Sequence, residues 1–389
     1  MNDMENQSSI PTETNRNSRF TLSLVVPCYN EEATLAECIR RVLQIANDTL
    51  QLEIIIVDDG STDTTGAIAG ELAKKHPEIK ILRHKENRGK GASLRSGFKM
   101  VTGDVVAVQD ADLEYDPMDL KKLAGPIVGN EADVVLGSRF LSTEFRRVLY
   151  FWHYLGNRFL TFLSNMFTDL NISDMETCYK VFRREILQQI EIRENRFGVE
   201  PEIIAKMANL RLRILEAGIS YRGRTYEEGK KIIAKDGLRA LYCILKYNAY
   251  CAPVPVQLFL YLIIGGIAAV CNLLTFHFMS DAGNPLAVSA LTAFFVAAAV
   301  NYFLCVLILF RHKARWNTGV ELLLYIGMAG IIGFLDLTTT SFLIHHAVPP
   351  IPSKIFASLS VFLLNFTGRR FLIFPAKPRG PWMPRRYRF

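Results

Sequence analysis

Short apolar runs alternate with longer amphipathic segments through the first half of the chain. Continuous apolar runs of this length predict buried strands, and apolar residues that recur every three or four positions predict helices. The predicted strands are residues 20–27, 52–57, 79–83, 105–109 and 133–138, and the predicted helices are residues 30–45, about 62–75 and 91–100. Such an alternation is typical of a parallel sheet covered on both faces, so we expect an α/β domain over residues 20–235.

Four long apolar segments follow in the second half, where charged residues almost vanish from the segments themselves. They cover residues 256–279, 286–310, 320–345 and 353–374. About 20 apolar residues are enough to cross a bilayer. Buried helices of a large soluble core are the alternative, which four such segments in succession disfavour. We therefore expect an all-α, four-helix transmembrane domain over residues 253–375.

The positions of lysine and arginine predict how these segments cross the membrane. Basic residues concentrate in the loop 311–315 and in the tail 376–389, and positively charged loops stay on the cytoplasmic side. The amino-terminal domain, this loop and the tail are therefore expected in the cytoplasm of a multi-pass protein, with the plasma membrane as its expected location. Asp336 lies within the third segment and is either a functional carboxylate or a solvated or paired one.

Two stretches beside the expected membrane domain are amphipathic. Residues 147–170 contain Trp152, Tyr154 and Phe159 and carry few charges for a soluble helix. A core helix is one interpretation, but an interfacial helix in the headgroup region explains the aromatic content better. Residues 236–252 form a second such stretch and linker.

Residues 1–19 are polar and have no apolar core, so we expect them to be disordered.

Composition narrows the partners of the chain. The net charge of +7 includes the basic tail, which beside membrane segments indicates an anionic leaflet, so no nucleic-acid partner is expected. The seven cysteines form no CxxC pair. Free thiols are therefore expected, and neither a disulfide framework nor a structural zinc site is indicated.

Two carboxylates separated by one residue follow the predicted strand 105–109. Asp110 and Asp112 leave the end of this strand within the stretch VAVQDADLEYD. Mg²⁺ and Mn²⁺ are commonly held by one or two carboxylates while substrate phosphates complete the coordination shell. An ordinary turn after a strand is the alternative, since aspartate favours turns.

Other polar clusters fall at the same predicted edge of the sheet, which is where parallel sheets bind ligands. Asp58 and Asp59 begin a DDGS turn that suits the ribose and base of a nucleotide, unless it is only an Asp-Gly turn. Residues 26–31, VPCYNE, line the same crevice in this interpretation. Residues 87–92, NRGKGA, place two glycines and two cations before a helix, an arrangement that favours phosphate.

An ordered series of motifs between residues 20 and 245 resembles family 2 glycosyltransferases. The motifs are VVPCYNE, VDDGSTD, NRGKGASLRSGF, DADLEYD, GSRF, DMETCYK, EPE and YRGRTYEEGKK. They are most similar to the polyprenyl-phosphate branch, which includes the dolichyl-phosphate mannose synthases, and the four apolar segments resemble the GtrA-type membrane domain. The resemblance implies an α/β catalytic domain of the GT-A (Rossmann-like) fold, followed by interfacial helices and the four-helix domain.

The resemblance also implies roles for individual residues. Donor nucleotide binding falls to Pro27, Tyr29, Glu31, Asp58, Asp59, Lys90 and Asp110. A cation, Mg²⁺ or Mn²⁺, is assigned to Asp110, Asp112 and Glu114, although relatives commonly have glutamine at the position of Glu114. The acceptor phosphate is assigned to Ser138, Arg139, Arg224, Lys230 and Lys231, unless the lysines only form a solvated face. The expected catalytic residues are Asp112, Arg139 and Arg224.

The reaction implied by the resemblance moves a hexose from a nucleotide sugar to a polyprenyl phosphate in the membrane, with inversion at the sugar carbon. GDP-mannose is the first choice of donor, and UDP-glucose or another UDP-sugar is the alternative. A phosphate monoester has a second pKa of about 6, so the lipid is already an anionic nucleophile near neutral pH.

Two other functions stay open from the sequence. Processive polysaccharide synthases also join this fold to membrane spans, but their QxxRW motif does not occur, and Trp316 follows Arg315 without the glutamine. A non-catalytic flippase or scaffold with a degenerate domain is the second alternative, which the intact acidic and basic motifs disfavour. A homo-oligomer is neither indicated nor excluded.

Overall fold

The computed structural model describes residues 19–141, 148, 150–224, 234–310 and 318–373. The chain divides into two compact units, one built mainly from residues up to Ile244 and the other mainly from residues from Leu245 onward. The expected disordered segment, apart from Arg19, lies outside the described residues, as do the loop 311–315 and the tail 376–389.

A seven-stranded sheet forms the centre of the first unit. Its strands are β1 (Phe20–Cys28), β2 (Leu50–Asp58), β3 (Ile79–Arg83), β4 (Val105–Val108), β5 (Val134–Ser138), β6 (Lys180–Arg183) and β7 (Ile214–Gly218). They lie in the order β3-β2-β1-β4-β6-β5-β7. The middle of β1 and all of β4 are buried, as expected for apolar strands that are covered on both faces.

One strand breaks the parallel arrangement expected from the sequence. β1 pairs in parallel with β2 and β4, whereas β6 runs antiparallel to both β4 and β5. Strand β6 has only four residues, KVFR, and follows a polar stretch, so no apolar run marks it. The α/β class is confirmed, but the sheet is mixed rather than purely parallel.

Helices connect the strands of this sheet. They are α1 (Leu35–Leu43), α2 (Thr65–Lys75), α3 (Lys90–Gly97), α4 (Met118–Val128), α5 (Phe151–Thr168), α6 (Arg184–Leu187), α7 (Val199–Leu210) and α8 (Ala234–Asn248). Helix α1 starts later than predicted because Asn30 adopts a φ of 52° and its side-chain oxygen accepts a hydrogen bond from the Thr62 N–H. This contact joins the turn after β1 to the turn after β2.

Helix α5 carries an exposed aromatic surface. Trp152 is 77% exposed, and Phe151, Phe159 and Phe162 are exposed as well. A core helix would bury such side chains, whereas a helix at the membrane interface presents them to lipid. The exposure therefore favours the interfacial interpretation of this segment.

Four long helices make up the second unit. They are α9 (Val254–Asp281), α10 (Leu286–Leu304), α11 (Thr318–His345) and α12 (Pro350–Gly368). Helices α10 and α12 continue as π-helical segments over Cys305–Phe310 and Arg369–Ile373. Within the described chain, three helical stretches are long and apolar enough to cross a membrane: Val254–Asp281, Leu291–Leu309 and Leu322–His345. The fourth predicted span is helical but is not among these three.

Candidate active site

A large cavity opens where strands β1, β4 and β5 of the first unit end. Its volume is about 1010 Å³, which is ample for a small-molecule site. Its lining combines the polar residues that follow the strands with Phe140, Phe197 and aromatic residues at the start of α5. Such a lining suits a ligand with both a charged and an apolar part.

The two aspartates of the DAD motif lie together in this cavity, each beside a basic side chain. The Lys90 ammonium lies 3.0 Å from Oδ1 and 3.1 Å from Oδ2 of Asp110. Arg224 donates its Nη2 to Asp112 Oδ2 at 3.0 Å and lies 3.8 Å from the Glu31 carboxylate. The structure thus brings together acidic and basic residues that the sequence predicted from separate motifs.

Glu114 faces the same group of residues, but both of its carboxylate oxygens already accept hydrogen bonds. Tyr221 donates its hydroxyl to Oε2 at 2.8 Å, and the Arg224 backbone N–H donates to Oε1 at 2.8 Å. Glu114 therefore holds in place the segment that carries Arg224. No group of three His, Cys, Asp or Glu side chains in the described chain is arranged to hold a metal. The predicted role of Glu114 as a third ligand is without support there.

The charge balance around Asp112 nevertheless fits a bound cation. Burial, and then the nearby carboxylates of Asp110 and Glu114, raise the pKa of Asp112 to about 7, and Arg224 offsets only part of this effect. Added positive charge stabilises a carboxylate whose ionised form is disfavoured in this way. Two adjacent carboxylates also supply the oxygen ligands that Mg²⁺ and Mn²⁺ take, with substrate phosphates completing the shell.

Asp59 lines the cavity, but its carboxylate holds the basic segment that precedes α3. The backbone N–H groups of Arg88 and Gly89 donate to it at 3.1 Å and 2.6 Å, and the His84 ring lies 2.6 Å from Oδ1. Because Lys90 directly follows this segment, Asp59 fixes the position from which Lys90 reaches Asp110. The role of Asp59 in the structure is therefore to position the Lys90 ammonium group.

Asp58 and Ser138, both predicted to contact ligands, do not line the cavity formed by the described residues. Asp58 is buried, accepts a hydrogen bond from the Ser61 N–H at 2.9 Å and pairs with Arg83 at 3.1 Å. The Ser138 hydroxyl lies 2.6 Å from that of Ser173. Each side chain closes a turn at a strand end, the ordinary use of such residues. Their predicted ligand contacts gain no support from this geometry.

The other predicted residues divide between the cavity and the part of the chain that is not described. Pro27, at the end of β1, and Tyr29 and Glu31, just after it, line the cavity, as expected from the sequence. The Glu31 N–H donates to Thr65 Oγ1 at 2.9 Å, which fixes this loop against the start of α2. Lys230 and Lys231 lie outside the described residues, so their contact with a phosphate stays a prediction.

Arg139 lines the cavity as one member of a buried ion pair. Its Nε and Nη2 donate to the two carboxylate oxygens of Asp174, each at 2.7 Å, and its guanidinium lies 5.2 Å from the centre of the Tyr221 ring. Burial alone lowers the pKa of an arginine, but Asp174 outweighs it, so the pKa of Arg139 is raised well above its usual value. Arg139 is therefore a permanent positive charge in the wall of the cavity.

Sequence reasoning missed a second buried network that connects the cavity to the core. Lys90 also reaches Glu200 Oε1 at 3.3 Å, and Glu200 pairs through its other oxygen with Lys180. Glu176 lines the cavity, and burial followed by the charge of Glu200 raises its pKa to about 7. The available sequence signal was the position of Glu176, Lys180 and Glu200 within the DMETCYK and EPE motifs, to which no individual roles were assigned.

Two parts of the chain match models of known protein families. Residues 23–191 match glycosyl transferase family 2, and residues 260–374 match the GtrA/DPMS transmembrane domain. The first match includes the DAD motif and Arg139, and the second reaches from α9 into the π-helical segment after α12. Both matches confirm the family resemblance that the motifs carry, together with the expected GT-A fold class.

The chain is also similar to curated proteins of known name. It is 30% identical to the dolichol-phosphate mannosyltransferase of Pyrococcus furiosus over 58% of this chain and 64% of that protein. It is 30% identical to a dolichyl-phosphate beta-glucosyltransferase of Trichomonas vaginalis over 51% of this chain and 65% of that protein. The dodecaprenyl-phosphate galacturonate synthase of Rhizobium johnstonii is 26% identical, with 55% and 62% covered. The chain thus spans just under two thirds of the length of each of these relatives.

The solved structures that the chain matches include glucosyl-3-phosphoglycerate synthase from Mycobacterium tuberculosis in complex with Mn²⁺, UDP and glucosyl-3-phosphoglycerate. The match has a TM-score of 0.47 and 22% identity, and it covers 59% of this chain and 80% of that one. The structure of the same enzyme with UDP gives a TM-score of 0.46 at 20% identity, with the same coverage.

Proposed function

We propose that this chain is a family 2 glycosyltransferase, with a GT-A catalytic domain followed by a GtrA/DPMS transmembrane domain, and that it transfers a hexose to a polyprenyl phosphate. GDP-mannose is the proposed donor because the motifs are most similar to those of the mannose synthases. UDP-glucose or another UDP-sugar is the alternative, since the names of the relatives include mannosyl, glucosyl and galacturonate enzymes.

The observation that carries the proposal is the composition of one cavity. Asp110 and Asp112 lie there with Lys90 and Arg224 at hydrogen-bond distance, and aromatic side chains from α5 complete the lining. Acidic and basic groups side by side suit a nucleoside diphosphate with its cation. An aromatic wall suits the hydrocarbon chain of a lipid acceptor.

The acceptor needs little help from a general base. Its phosphate is already anionic near neutral pH, because the second pKa of a phosphate monoester is about 6. The harder requirement is to bring this anion close to the donor diphosphate, which is also negatively charged. Arg224 and Arg139 supply fixed positive charges for that purpose, and the Asp174 carboxylate keeps the Arg139 guanidinium in one orientation.

The leaving group needs a second source of positive charge. Asp110 and Asp112 would hold Mg²⁺ or Mn²⁺, which stabilises the nucleoside diphosphate as it departs. Lys90 lies beside Asp110 and adds a permanent charge on the same side of the site. Asp59 keeps Lys90 there through the backbone of residues 88 and 89.

The proposed chemical step is a single displacement at the anomeric carbon. A phosphate oxygen of the lipid forms a bond to that carbon, while the bond from the carbon to the donor diphosphate breaks and its electron pair leaves with the nucleoside diphosphate. A single displacement inverts the configuration, so an α-linked donor gives a β-linked lipid phosphate sugar. No proton has to be removed from the nucleophile.

We further propose that the enzyme is a multi-pass protein of the plasma membrane. The catalytic domain, the loop 311–315 and the tail 376–389 face the cytoplasm in this proposal, because basic loops stay on that side. Nucleotide sugars are soluble and charged, so a catalytic cavity on the cytoplasmic side has direct access to them.

The proposal is tested by incubating the purified full chain with polyprenyl phosphate, Mg²⁺ or Mn²⁺ and a panel of radiolabelled nucleotide sugars. We expect label to enter the organic phase from one donor, with GDP-mannose as the first choice. If label is transferred only from a UDP-sugar, the proposed donor is wrong but the proposed reaction, sugar transfer to a lipid phosphate, still stands. Absence of a lipid-soluble product with every donor would refute the proposed activity.

A further inference from the structure

The four-helix unit contains a cavity of its own, of about 380 Å³. Small residues of α9, α10 and α11 form part of its lining, which allows close approach by a ligand. The remaining lining includes polar side chains that a purely apolar bundle does not require. These are Asn272, Asn301, Tyr325, Asn365 and Arg369.

Arg369 is the charged residue of this cavity, and its partners are neutral. It begins the π-helical segment after α12 and is only 5% exposed. Its Nη1 donates to Asn301 Oδ1 and to the Tyr325 hydroxyl, each at 2.6 Å. The Tyr325 hydroxyl donates in turn to Asn301 Oδ1 at 2.6 Å, and the Arg369 guanidinium lies 4.0 Å from the centre of the Tyr325 ring.

These contacts leave positive charge and donor capacity unused. Among the side chains that the structure describes, no carboxylate forms an ion pair with Arg369, and its buried Nε has no hydrogen-bond partner. The buried Oδ1 of Asn365 is also without a partner among these residues. A buried cation without counter-charge is costly, and an anion held in the cavity removes that cost.

The position of the polar residues within the helices indicates what kind of anion fits. Tyr325 lies near the beginning of α11 and Arg369 near the end of the helical stretch that continues α12, whereas Asn301 lies in the middle of the apolar stretch Leu291–Leu309. Hydrogen bonds join these three side chains. The ends of membrane helices lie near the lipid headgroups. An anion at this depth that also reaches the small residues of the cavity is an amphiphile.

We propose that this cavity binds the phosphate group of a membrane lipid, with Arg369 as the donor and the hydrocarbon chain along the small residues of the helices. The shared chemistry is a phosphate on a long hydrocarbon chain, which a polyprenyl phosphate and an ordinary anionic phospholipid both carry. The choice of polyprenyl phosphate as one probe rests on the proposed function, whereas the site itself rests on the geometry around Arg369.

A purely structural role for Arg369 is the competing explanation. Its Nη1 ties α10, α11 and the end of α12 together, which would stabilise the bundle without any ligand. That role uses one nitrogen of the guanidinium and explains neither the unpartnered Nε nor the cavity beside it. The two explanations differ in whether substitution of Arg369 changes the binding of lipid phosphates.

The test uses the purified full chain and native mass spectrometry of intact complexes. Wild type and Arg369→Ala are titrated with polyprenyl phosphate, phosphatidic acid, uncharged polyprenol and inorganic phosphate. Binding in the catalytic unit is common to both proteins, so the difference between them reports the four-helix unit. Thr367→Val is the matched control. Thr367 is exposed near the end of α12, two residues before Arg369, and its hydroxyl donates a hydrogen bond to the Leu363 carbonyl.

We expect Arg369→Ala to weaken binding of at least one lipid phosphate about tenfold or more, the value of a lost charge-assisted hydrogen bond. Polyprenol binding should stay unchanged, and Thr367→Val should match wild type for every probe. Equal affinity of wild type and Arg369→Ala for both lipid phosphates would overturn the proposal. Inorganic phosphate that binds as tightly as the lipids would overturn the assignment to a lipid.

Two further variants decide the question if Arg369→Ala does not fold. Arg369→Lys keeps the charge but not the planar set of donors, and Asn365→Ala removes a cavity residue without a bond to Arg369. Each should weaken lipid phosphate binding about threefold, whereas unchanged affinity in both would contradict the proposal. Binding that depends on Arg369 in a chain without transferase activity would refute the proposed function and leave this site standing.

Discussion

Buried cations have different partners in the two units of the chain. In the catalytic unit Arg139 pairs with Asp174 at 2.7 Å, and Lys180 pairs with Glu200. In the four-helix unit Arg369 bonds to the neutral side chains of Asn301 and Tyr325, each at 2.6 Å. A buried pair of opposite charges fixes geometry, whereas a cation held by neutral acceptors keeps its attraction for an anion.

The comparison separates two uses of buried charge. Arg139 and Lys90 are held by carboxylates and present fixed positive charge to a cavity whose proposed donor would bind together with a cation. Arg369 retains an unpartnered nitrogen within the described chain. We therefore expect charge substitutions to act mainly on catalysis and folding in the first unit, and on ligand binding in the second.

Asp112→Asn should have the largest effect, because it removes charge from the place where a cation and a diphosphate are expected. Turnover should fall by about 10³-fold or more, in a steady-state transfer assay with purified protein. Asp116→Asn is the matched control, since Asp116 is exposed and its side chain accepts a hydrogen bond from the Met118 N–H. Near-normal turnover of a folded Asp112→Asn variant would end the metal assignment.

Asp174→Leu tests whether Arg139 and Asp174 stabilise the catalytic unit as an ion pair. The substitution leaves the Arg139 guanidinium buried without its counter-charge, so unfolding should become easier by about 3–5 kcal/mol. Arg139→Met combined with Asp174→Leu should recover most of this loss, because no unpaired charge remains. Scanning calorimetry of the two variants measures the difference. A double variant as unstable as the single one would contradict the pairing explanation.

Glu176→Gln should change the pH dependence of stability. Burial and the Glu200 charge raise the pKa of Glu176 from 4.5 to about 7, while Lys180 and Arg139 oppose the shift. The folded state therefore retains a proton that the unfolded state has lost between these two values, so stability falls as pH rises through this window. At about 1.4 kcal/mol per pKa unit, the variant should be up to about 3 kcal/mol more stable than wild type at pH 8.

The difference in stability between Glu176→Gln and wild type should disappear at low pH. Below pH 4.5 both folded and unfolded states carry the protonated carboxyl, so Glu176→Gln and wild type should have similar stability there. Thermal unfolding at several pH values gives the result. An equal difference at every pH would show that the effect of the substitution does not come from this ionisation.

Arg224→Ala should affect substrate use more than folding. Arg224 donates to Asp112 at 3.0 Å and is only partly buried, so its loss exposes carboxylates to solvent without leaving a fully buried charge. The KM for polyprenyl phosphate or for the donor should rise about tenfold, as for one lost charge-assisted hydrogen bond. Arg222→Ala is the matched control because Arg222 is exposed. Unchanged kinetics for both substrates would remove Arg224 from the site.

Tyr325→Phe should have the smallest effect. It tests the comparison between the two units through the neutral partners of Arg369. It removes one neutral acceptor from Arg369 and keeps the aromatic ring 4.0 Å from the guanidinium. The expected loss of stability is about 1 kcal/mol, as for an ordinary hydrogen bond. A loss as large as that of Asp174→Leu would show that the two units hold their cations in the same way.

Local patterns predicted the sheet and the elements at its ligand-binding edge. Apolar runs marked β1, β2 and β4, and their polar ends supplied Tyr29, Glu31, Asp110 and Asp112, which the structure brings to one cavity. Strands β6 and β7 were not predicted. Strand β6 has only four residues after a polar stretch, which carry no periodic signal.

Side-chain partners were harder to predict than the elements that carry them. Asp58 and Ser138 had suitable residue types at strand ends, yet both close turns, Ser138 by accepting from the N–H groups of Phe140 and Leu141. Asp174 and Glu200 had no assigned role, and their partners Arg139 and Lys180 come from other parts of the chain. Pairing of this kind depends on tertiary distance, which a single sequence does not contain.

Transfer of sugar to a lipid phosphate is tested most directly by changing the acceptor. The purified chain is given one labelled nucleotide sugar with polyprenyl phosphate or with polyprenol, which has the same hydrocarbon chain and no phosphate. We predict a lipid-soluble, β-linked product with polyprenyl phosphate and none with polyprenol. Equal transfer to both lipids, or transfer to neither with any donor, would contradict the proposed reaction.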